Sequence, residues 1–176
     1  MANSAKWVLD PSHSEISFKV KHLMISNVKG QFTSFSGNIE GEDFTNAPIS
    51  VSIATNSIHT NDEGRDGHLK SGDFFDAEAF PEITFSSTSV QVIDEDNFKL
   101  LGQLKIKGVS NPVTLDVEFG GIGTDPWGNQ KAAFSVSGKI KRSDFGLNWN
   151  AALETGGVLV SDEVRLSADV QFVKQA

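Results

Sequence analysis

The sequence predicts an all-β protein, a single eight-stranded antiparallel up-and-down barrel. Three observations support this fold. Apolar and polar residues alternate with a period of two along most of the chain, as in strands with one dry face. Short polar segments separate the alternating stretches, which is typical of links between neighbouring strands. Two longer connections, 61–81 and 143–162, are predicted to contain one or two short helical segments.

The first predicted strand, 14–22, shows the alternation clearly. Ile16, Phe18 and Val20 share one face, and charged or hydroxyl side chains occupy the other. His22 is an exception, because its even number places a polar side chain on the dry face. A hydrogen-bonded structural role and a ligand contact are both compatible with this position.

The next three predicted strands span 28–41, 48–60 and 82–93. In the second strand the parity slips between Phe32 and Phe35, which indicates a bulge or strong coiling. The third and fourth strands are marked by alternating β-branched and aromatic residues, the side chains that strands favour. These are Ile49, Val51, Ile53, Ile83 and Phe85.

The last four predicted strands span 98–108, 112–124, 130–142 and 163–174. Each keeps its apolar residues on one parity, so each is predicted to bury a single face. The apolar positions are Phe98, Leu100, Leu104, Ile106, Val113, Leu115, Val117, Phe119, Phe134, Val136, Ile140, Val164, Leu166, Val170 and Phe172.

Strands that are apolar on one face must either stack as a sandwich or close into a barrel. The short links between neighbours favour the up-and-down barrel, and eight strands enclose space for about one small ligand. The outer face carries Lys, Glu, Ser and Asp, the reverse of a transmembrane barrel, which excludes that class. The small inner residues Gly102, Gly138 and Ala168 are predicted to leave room for a ligand.

The order of the strands predicts which rim of the barrel is the mouth. Links after odd-numbered strands lie on one rim, which therefore receives both long connections. His22 ends the first strand and Arg142 ends the seventh, both on the apolar face. Since the eighth strand should pair with both, these side chains should lie close together. Two interpretations remain open: a pocket with a polar head-group site, or a filled barrel with Arg142 paired to a carboxylate such as Asp144.

The connection over 61–81 is predicted to cover this mouth. Glu63–Ser71 forms its short helix, and Phe74 and Phe75 follow the helix directly. Phenylalanines at such a place are interpreted either as ordinary core residues or as a lid over the cavity.

Composition limits the function classes. The chain has 176 residues and a net charge of −8, so neither a nucleic-acid interface nor adhesion to anionic lipid is expected. No stretch is apolar enough to span a membrane as a helix. The sequence predicts a short N-terminal tail, 1–6, and one domain, 7–174. Without a visible signal peptide it is expected to be cytoplasmic as written, or periplasmic if it is a processed form.

Catalytic and metal motifs are not evident. The chain has no cysteine and four histidines, none with a recognised ligand spacing. Nucleotide-binding and hydrolase signatures are also missing. We therefore predict a protein that is not an enzyme, with no catalytic residue, no metal and no cofactor.

Several segments, in order, resemble the YceI-like family of bacterial polyisoprenoid- or lipid-binding proteins. The resemblance begins at Trp7-Val8-Leu9-Asp10-Pro11-Ser12-His13-Ser14 and covers nearly the whole chain. Each segment is weakly specific by itself, and together they are specific. The segments are 7–14, 18–22, 28–32, 65–76, 80–85, 102–109, 142–146 and 162–164.

The resemblance implies a lipocalin-like barrel that holds a long isoprenoid chain, such as a polyprenyl phosphate or a quinone tail. The expected function is non-catalytic binding, transport or storage, with the polar head near His22 and Arg142. A packed structural barrel and a lipid-modifying enzyme are the alternatives, and a homodimer stays open. The predicted cavity residues are Phe18, Val20, Phe32, Phe74, Phe75, Phe85, Leu104, Ile106, Phe134, Val136 and Phe145.

Overall fold

In the computed structural model, the alternating stretches of the sequence form an antiparallel sheet. The structure describes residues 6–22, 26–41, 43–147 and 160–175. The sheet has eleven strand segments. In chain order they are β1 (Lys6–Leu9), β2 (Glu15–His22), β3 (Ser26–Phe32), β4 (Phe35–Glu40), β5 (Ile49–Ala54), β6 (Ile58–His59), β7 (Glu82–Val92), β8 (Asn97–Ile106), β9 (Val109–Thr124), β10 (Gln130–Lys141) and β11 (Val160–Lys174).

Three pairs of segments are bent strands. A short 3-10 turn, Pro11–His13, joins β1 to β2, and another, Thr55–Ser57, joins β5 to β6. Thr33 and Ser34 separate β3 from β4, at the parity slip in the sequence. The eleven segments therefore form eight long strands, and the predicted eight-stranded antiparallel barrel is confirmed.

Closure comes from β11, which pairs with both halves of the first long strand. Phe172 lies opposite Leu9 of β1, and Ala168 lies opposite Ile16 of β2. The strand β1 was not predicted, because an alternation over four residues is too short to recognise. Of the predicted tail, only Lys6 is described, and it begins β1.

An aromatic cluster fills the end of the barrel opposite the long connections. Phe44 folds inward from the turn between β4 and β5 and contacts three rings edge-on. Its ring centroid lies 5.4 Å from Trp7, 5.7 Å from Phe119 and 5.2 Å from Phe134. This turn is one of the short polar segments of the sequence. The ring of Phe44 nevertheless points into the barrel and closes the end opposite the long connections.

Two hydrogen bonds show that the long connections share one rim, as predicted. The Lys107 ammonium, from the turn between β8 and β9, donates to the carbonyl oxygen of Gly72 at 2.9 Å. The Asn111 amide donates to the carbonyl oxygen of Asp144 at 2.6 Å. The first connection contains a helix, α1 (Glu63–Lys70), and the second begins with the 3-10 turn Arg142–Phe145. Most of that second connection, 148–159, lies outside the described residues.

Helix α1 is fastened to the rim through a buried carboxylate, that of Asp66. It accepts hydrogen bonds from the backbone N–H of Thr60 at 2.8 Å and from its hydroxyl at 2.5 Å. Arg65 completes the link by donating to the Thr60 hydroxyl and carbonyl oxygens. Burial by itself raises the pKa of Asp66, but the hydrogen bonds from Thr60 outweigh it and hold the pKa below its ordinary value.

Asp66→Ala is expected to loosen α1. Removing the carboxylate leaves two Thr60 donors unsatisfied, which costs about 1–3 kcal/mol at a buried site. Hydrogen exchange of the α1 amides, followed by mass spectrometry, should accelerate accordingly. Glu78→Ala removes an exposed carboxylate from the same connection and should leave the exchange unchanged. Equal protection in Asp66→Ala and in the unaltered protein would mean that apolar packing alone holds the helix.

The same link predicts a pH dependence. The pKa of Asp66 in the folded protein is below its ordinary value of 3.8. The carboxylate therefore stabilises the folded state fully above pH 3.8, and this stabilisation is lost as the pH falls through the pKa of the folded protein. The difference in melting temperature between the unaltered protein and Asp66→Ala should therefore narrow in strong acid.

Candidate functional site

A cavity of about 580 Å³ lies inside the barrel, between the aromatic cluster and the rim that carries α1. Its size is within the range typical of small-molecule sites, roughly 300–1,000 Å³. The barrel is therefore not filled by its own side chains. Strands from the whole sheet contribute to the wall, because the inward row of each strand faces the same space.

Ten of the eleven predicted cavity residues are on this wall. They are Phe18, Val20, Phe32, Phe74, Phe75, Phe85, Leu104, Ile106, Phe134 and Val136. Phe145 differs. It is only 1% exposed and packs in the core behind the wall, because the 3-10 turn at Arg142–Phe145 changes the direction of the chain after β10.

Only one of the three small residues predicted to leave room for a ligand lines the cavity. A side-chain carbon at Gly102 would collide with the ring of Phe85 and with the carbonyl oxygen of Ser86, and one at Gly138 would lie 2.6 Å from Leu115. The room over both glycines is therefore taken by neighbouring side chains, contrary to the prediction. Ala168 does line the cavity.

Polar side chains are confined to a few places on the wall. Most of the described lining is aliphatic or aromatic, and its charged or titratable members are Arg65, His68 and Arg142. All three come from α1 or from the turn that follows β10, so they lie at the rim. The cavity thus has an apolar body and a polar end.

Phenylalanines after α1 contribute to the wall at this end. Phe75 meets Phe32 edge-on, with 6.1 Å between ring centroids, and Phe74 meets His68 in the same way at 5.1 Å. The backbone N–H of Phe75 donates to the carbonyl oxygen of Leu69 at 3.0 Å, which ties the loop to the helix. Both rings therefore lie at the rim and line the cavity. This position is compatible with both predicted roles, that of core residues and that of a lid.

Arg142 is buried at the polar end, with 6% of its surface exposed. Its Nε donates to the carbonyl oxygen of Ser161 and its Nη1 to that of Leu147, each at 2.9 Å. Burial lowers the pKa of the guanidinium, and nearby Asp162 opposes that shift. An arginine keeps its proton under such conditions, so a positive charge stands on the wall of an apolar cavity.

His22 ends β2 and lies opposite Val160 of β11, one residue before the Ser161 carbonyl that Arg142 contacts. The backbone therefore brings the end of β2 close to the turn that follows β10. The side chain of His22 lies outside the described part of the structure, so its predicted role near the head group stays a prediction.

Two features were not found in the described residues. No group of three or more His, Asp or Glu side chains there could hold a metal ion. No helix in that part of the chain is long and apolar enough to cross a membrane.

Comparisons with known proteins agree with this architecture. A model of the YceI-like domain matches residues 7–172. A UPF0312 protein of Staphylococcus aureus is 43% identical over 169 residues, covering 94% of this chain and 96% of the relative. The crystal structure of a YCEI protein from Campylobacter jejuni matches with a TM-score of 0.76 and 36% identity, over 89% of this chain and 90% of that one.

A more distant structure shares the fold alone. It is a polyisoprenoid binding domain from Saccharophagus degradans, with a TM-score of 0.68 and 16% identity over 96% of this chain and 98% of that one. The family match spans almost the entire barrel, from β1 to β11. The chain therefore belongs to the YceI-like family.

Proposed function

We propose that this protein binds an amphipathic isoprenoid-type lipid, such as a polyprenyl phosphate or a quinone-like molecule, without catalysing a reaction on it. The tail would occupy the cavity and the head would lie at the polar end, so that the protein carries or stores the lipid. The observation that supports this most is the shape of the site: a largely apolar space of about 580 Å³ whose charged groups, among the described residues, lie at one end.

The cavity volume fits a short isoprenoid segment. A methylene group occupies about as much space as a water molecule, roughly 30 Å³. The cavity therefore has room for about twenty carbon atoms, which is about four isoprene units. At about 0.3 kcal/mol per atom, this burial supplies about 6 kcal/mol, which corresponds to dissociation constants in the tens of micromolar before the head group contributes.

Arg142 supports an anionic head. A charge at the edge of a water-poor cavity interacts more strongly with an opposite charge than it would in water. The guanidinium already donates to two backbone carbonyl oxygens, so it is fixed in place and does not need to be ordered when a ligand binds. His22 is proposed as a second head-group contact, from the neighbouring strand end.

The Saccharophagus degradans domain is a polyisoprenoid binding domain with the same fold. That likeness agrees with the proposal. The packed-barrel alternative is disfavoured by the open cavity. The enzyme alternative would need a general acid or base beside the ligand. Among the described residues, His68 is the side chain at the polar end that fits this role, and its Nε2 lies 2.9 Å from an Asp73 carboxylate oxygen. The other groups at this end are two arginines, which suit the binding of an anion more than acid–base catalysis.

Protein purified gently from cells is expected to carry a lipid. Native mass spectrometry, followed by organic extraction, should show an amphipathic molecule with an isoprenoid tail. Val136→Phe fills part of the cavity and should reduce occupancy, whereas Ser137→Phe places the same ring on the outer face of β10 and should not. Ligand-free protein that takes up no isoprenoid lipid would contradict the proposal.

The role of Arg142 can be tested with two ligands that differ only in the head. The unaltered protein should bind geranylgeranyl phosphate more tightly than geranylgeraniol by about tenfold, or about 1.4 kcal/mol. Arg142→Gln should remove this preference and Arg142→Lys should keep most of it. Titration calorimetry or a fluorescent competitor would measure both affinities. An equal loss for both ligands in Arg142→Gln would assign Arg142 a structural role only.

A further inference from the structure

Four basic side chains form a continuous row on the outside of the barrel. Lys139 of β10 lies opposite Arg165 of β11, Arg165 lies opposite Lys19 of β2, and Lys19 lies opposite Lys29 of β3. We call these four residues the basic row. Since neighbouring strands are about 4.8 Å apart, the row extends for about 14 Å across the strands.

A second row, of hydroxyl and amide side chains, runs beside the first. It consists of Ser137, Ser167, Ser17 and Gln31, which lie opposite one another on the same four strands. Both rows line one concave groove of about 860 Å³ on the outer face of the sheet. The groove therefore offers positive charges along one side and neutral hydrogen-bonding groups along the other.

The charge of the basic row is poorly compensated within the described residues. Glu163 Oε1 lies 3.6 Å from Arg165 Nε and 4.0 Å from Lys139 Nζ, so the two cations share one exposed carboxylate. Lys19 and Lys29 form no ion pair with any other described residue. Like charges directly opposite each other destabilise a sheet, and the chain as a whole carries a charge of −8. A partner that supplies negative charge would relieve this local repulsion.

The surroundings of the row restrict the kind of partner. Glu15 and Asp116 also line the groove, and Glu163 flanks it, so a long polyanion or a bilayer would meet repulsive groups at its borders. A flat membrane surface also fits a concave groove poorly. A short segment with carboxylates at its centre avoids both problems, and its backbone can hydrogen-bond to the serine and glutamine side chains.

We propose that this groove is a docking site for a short, carboxylate-rich peptide segment of another protein. The site lies on the face of the sheet opposite the cavity, and the proposal does not depend on lipid binding. The partner's segment lies across β10, β11, β2 and β3, with its carboxylates on the basic row.

A labelled peptide of alternating glutamate and serine, about eight residues and roughly 27 Å long when extended, is the probe. Fluorescence anisotropy should show binding that weakens as salt rises, because the Debye length is only about 8 Å at physiological ionic strength. Lys19→Glu/Arg165→Glu should weaken binding by about tenfold or more. Lys19→Gln/Arg165→Gln, a milder change with less risk to folding, should weaken it in the same direction.

A matched control distinguishes a loss of affinity caused by the groove from one caused by the change in net charge. Lys6→Glu/Lys105→Glu changes the net charge by the same amount on exposed positions away from the groove, and should alter affinity by less than about twofold. An equal loss in this control would overturn the proposal, as would failure of the peptide to bind the unaltered protein.

Two other occupants give distinct results. Binding to phosphatidylglycerol vesicles but not to the peptide, lost in Lys19→Glu/Arg165→Glu, would identify a membrane surface and overturn the proposal. The turn between β7 and β8 carries three consecutive acidic residues, 94–96. Salt-sensitive self-association that disappears in Glu95→Lys would identify this turn of a second copy as the occupant, and would likewise overturn the proposal. Lipid occupancy, measured in the same samples, is expected to be unchanged in every groove variant.

Discussion

The pairing of β11 with both β1 and β2 determines the geometry of the barrel. It closes the sheet into a barrel and fixes which side chains face inward. Once the registers of Leu9 with Phe172 and of Ile16 with Ala168 are set, every second residue around the barrel faces one enclosed space. The cavity, its polar end and the outer basic row all follow from that registration.

The two ends of the cavity are closed in physically different ways. The lower end is closed by aromatic packing around Phe44, which needs no polar partner. The upper end is built from a helix held by a buried carboxylate and from a turn that carries a buried guanidinium. Buried charges are costly unless they are hydrogen-bonded, and both Asp66 and Arg142 are. An amphipathic ligand of the proposed kind would therefore be bound in one orientation, with its head at the upper end.

Much of this architecture could be predicted from the sequence, because alternation, turn composition and strand counting are local or nearly local signals. The rim of Arg142 follows from the order of the strands, and its inward direction follows from parity. Phe145 could not be placed correctly, because a 3-10 turn interrupts the parity after β10. The space over Gly102 could not be judged either, since the ring that fills it belongs to Phe85 on a neighbouring strand.

Other features depend on contacts between distant parts of the chain. The link between Thr60 and Asp66 has no sequence signature, and Phe44 lies in a segment whose composition is otherwise that of a polar turn. The basic row is invisible in sequence because its members, Lys19, Lys29, Lys139 and Arg165, become neighbours only through the registers of four strands. Here tertiary pairing, and not local propensity, creates the surface.

Methyl NMR can show whether an isoprenoid tail occupies the interior of the barrel. Protein with labelled isoleucine methyl groups would be titrated with geranylgeranyl phosphate. A tail inside the barrel should cause shifts and intermolecular nuclear Overhauser effects at the cavity residues Ile53, Ile83 and Ile106, and none at the exposed Ile93 and Ile122. Effects confined to Ile93 and Ile122, or no effect at the inner methyl groups at saturating ligand, would contradict this placement of the tail.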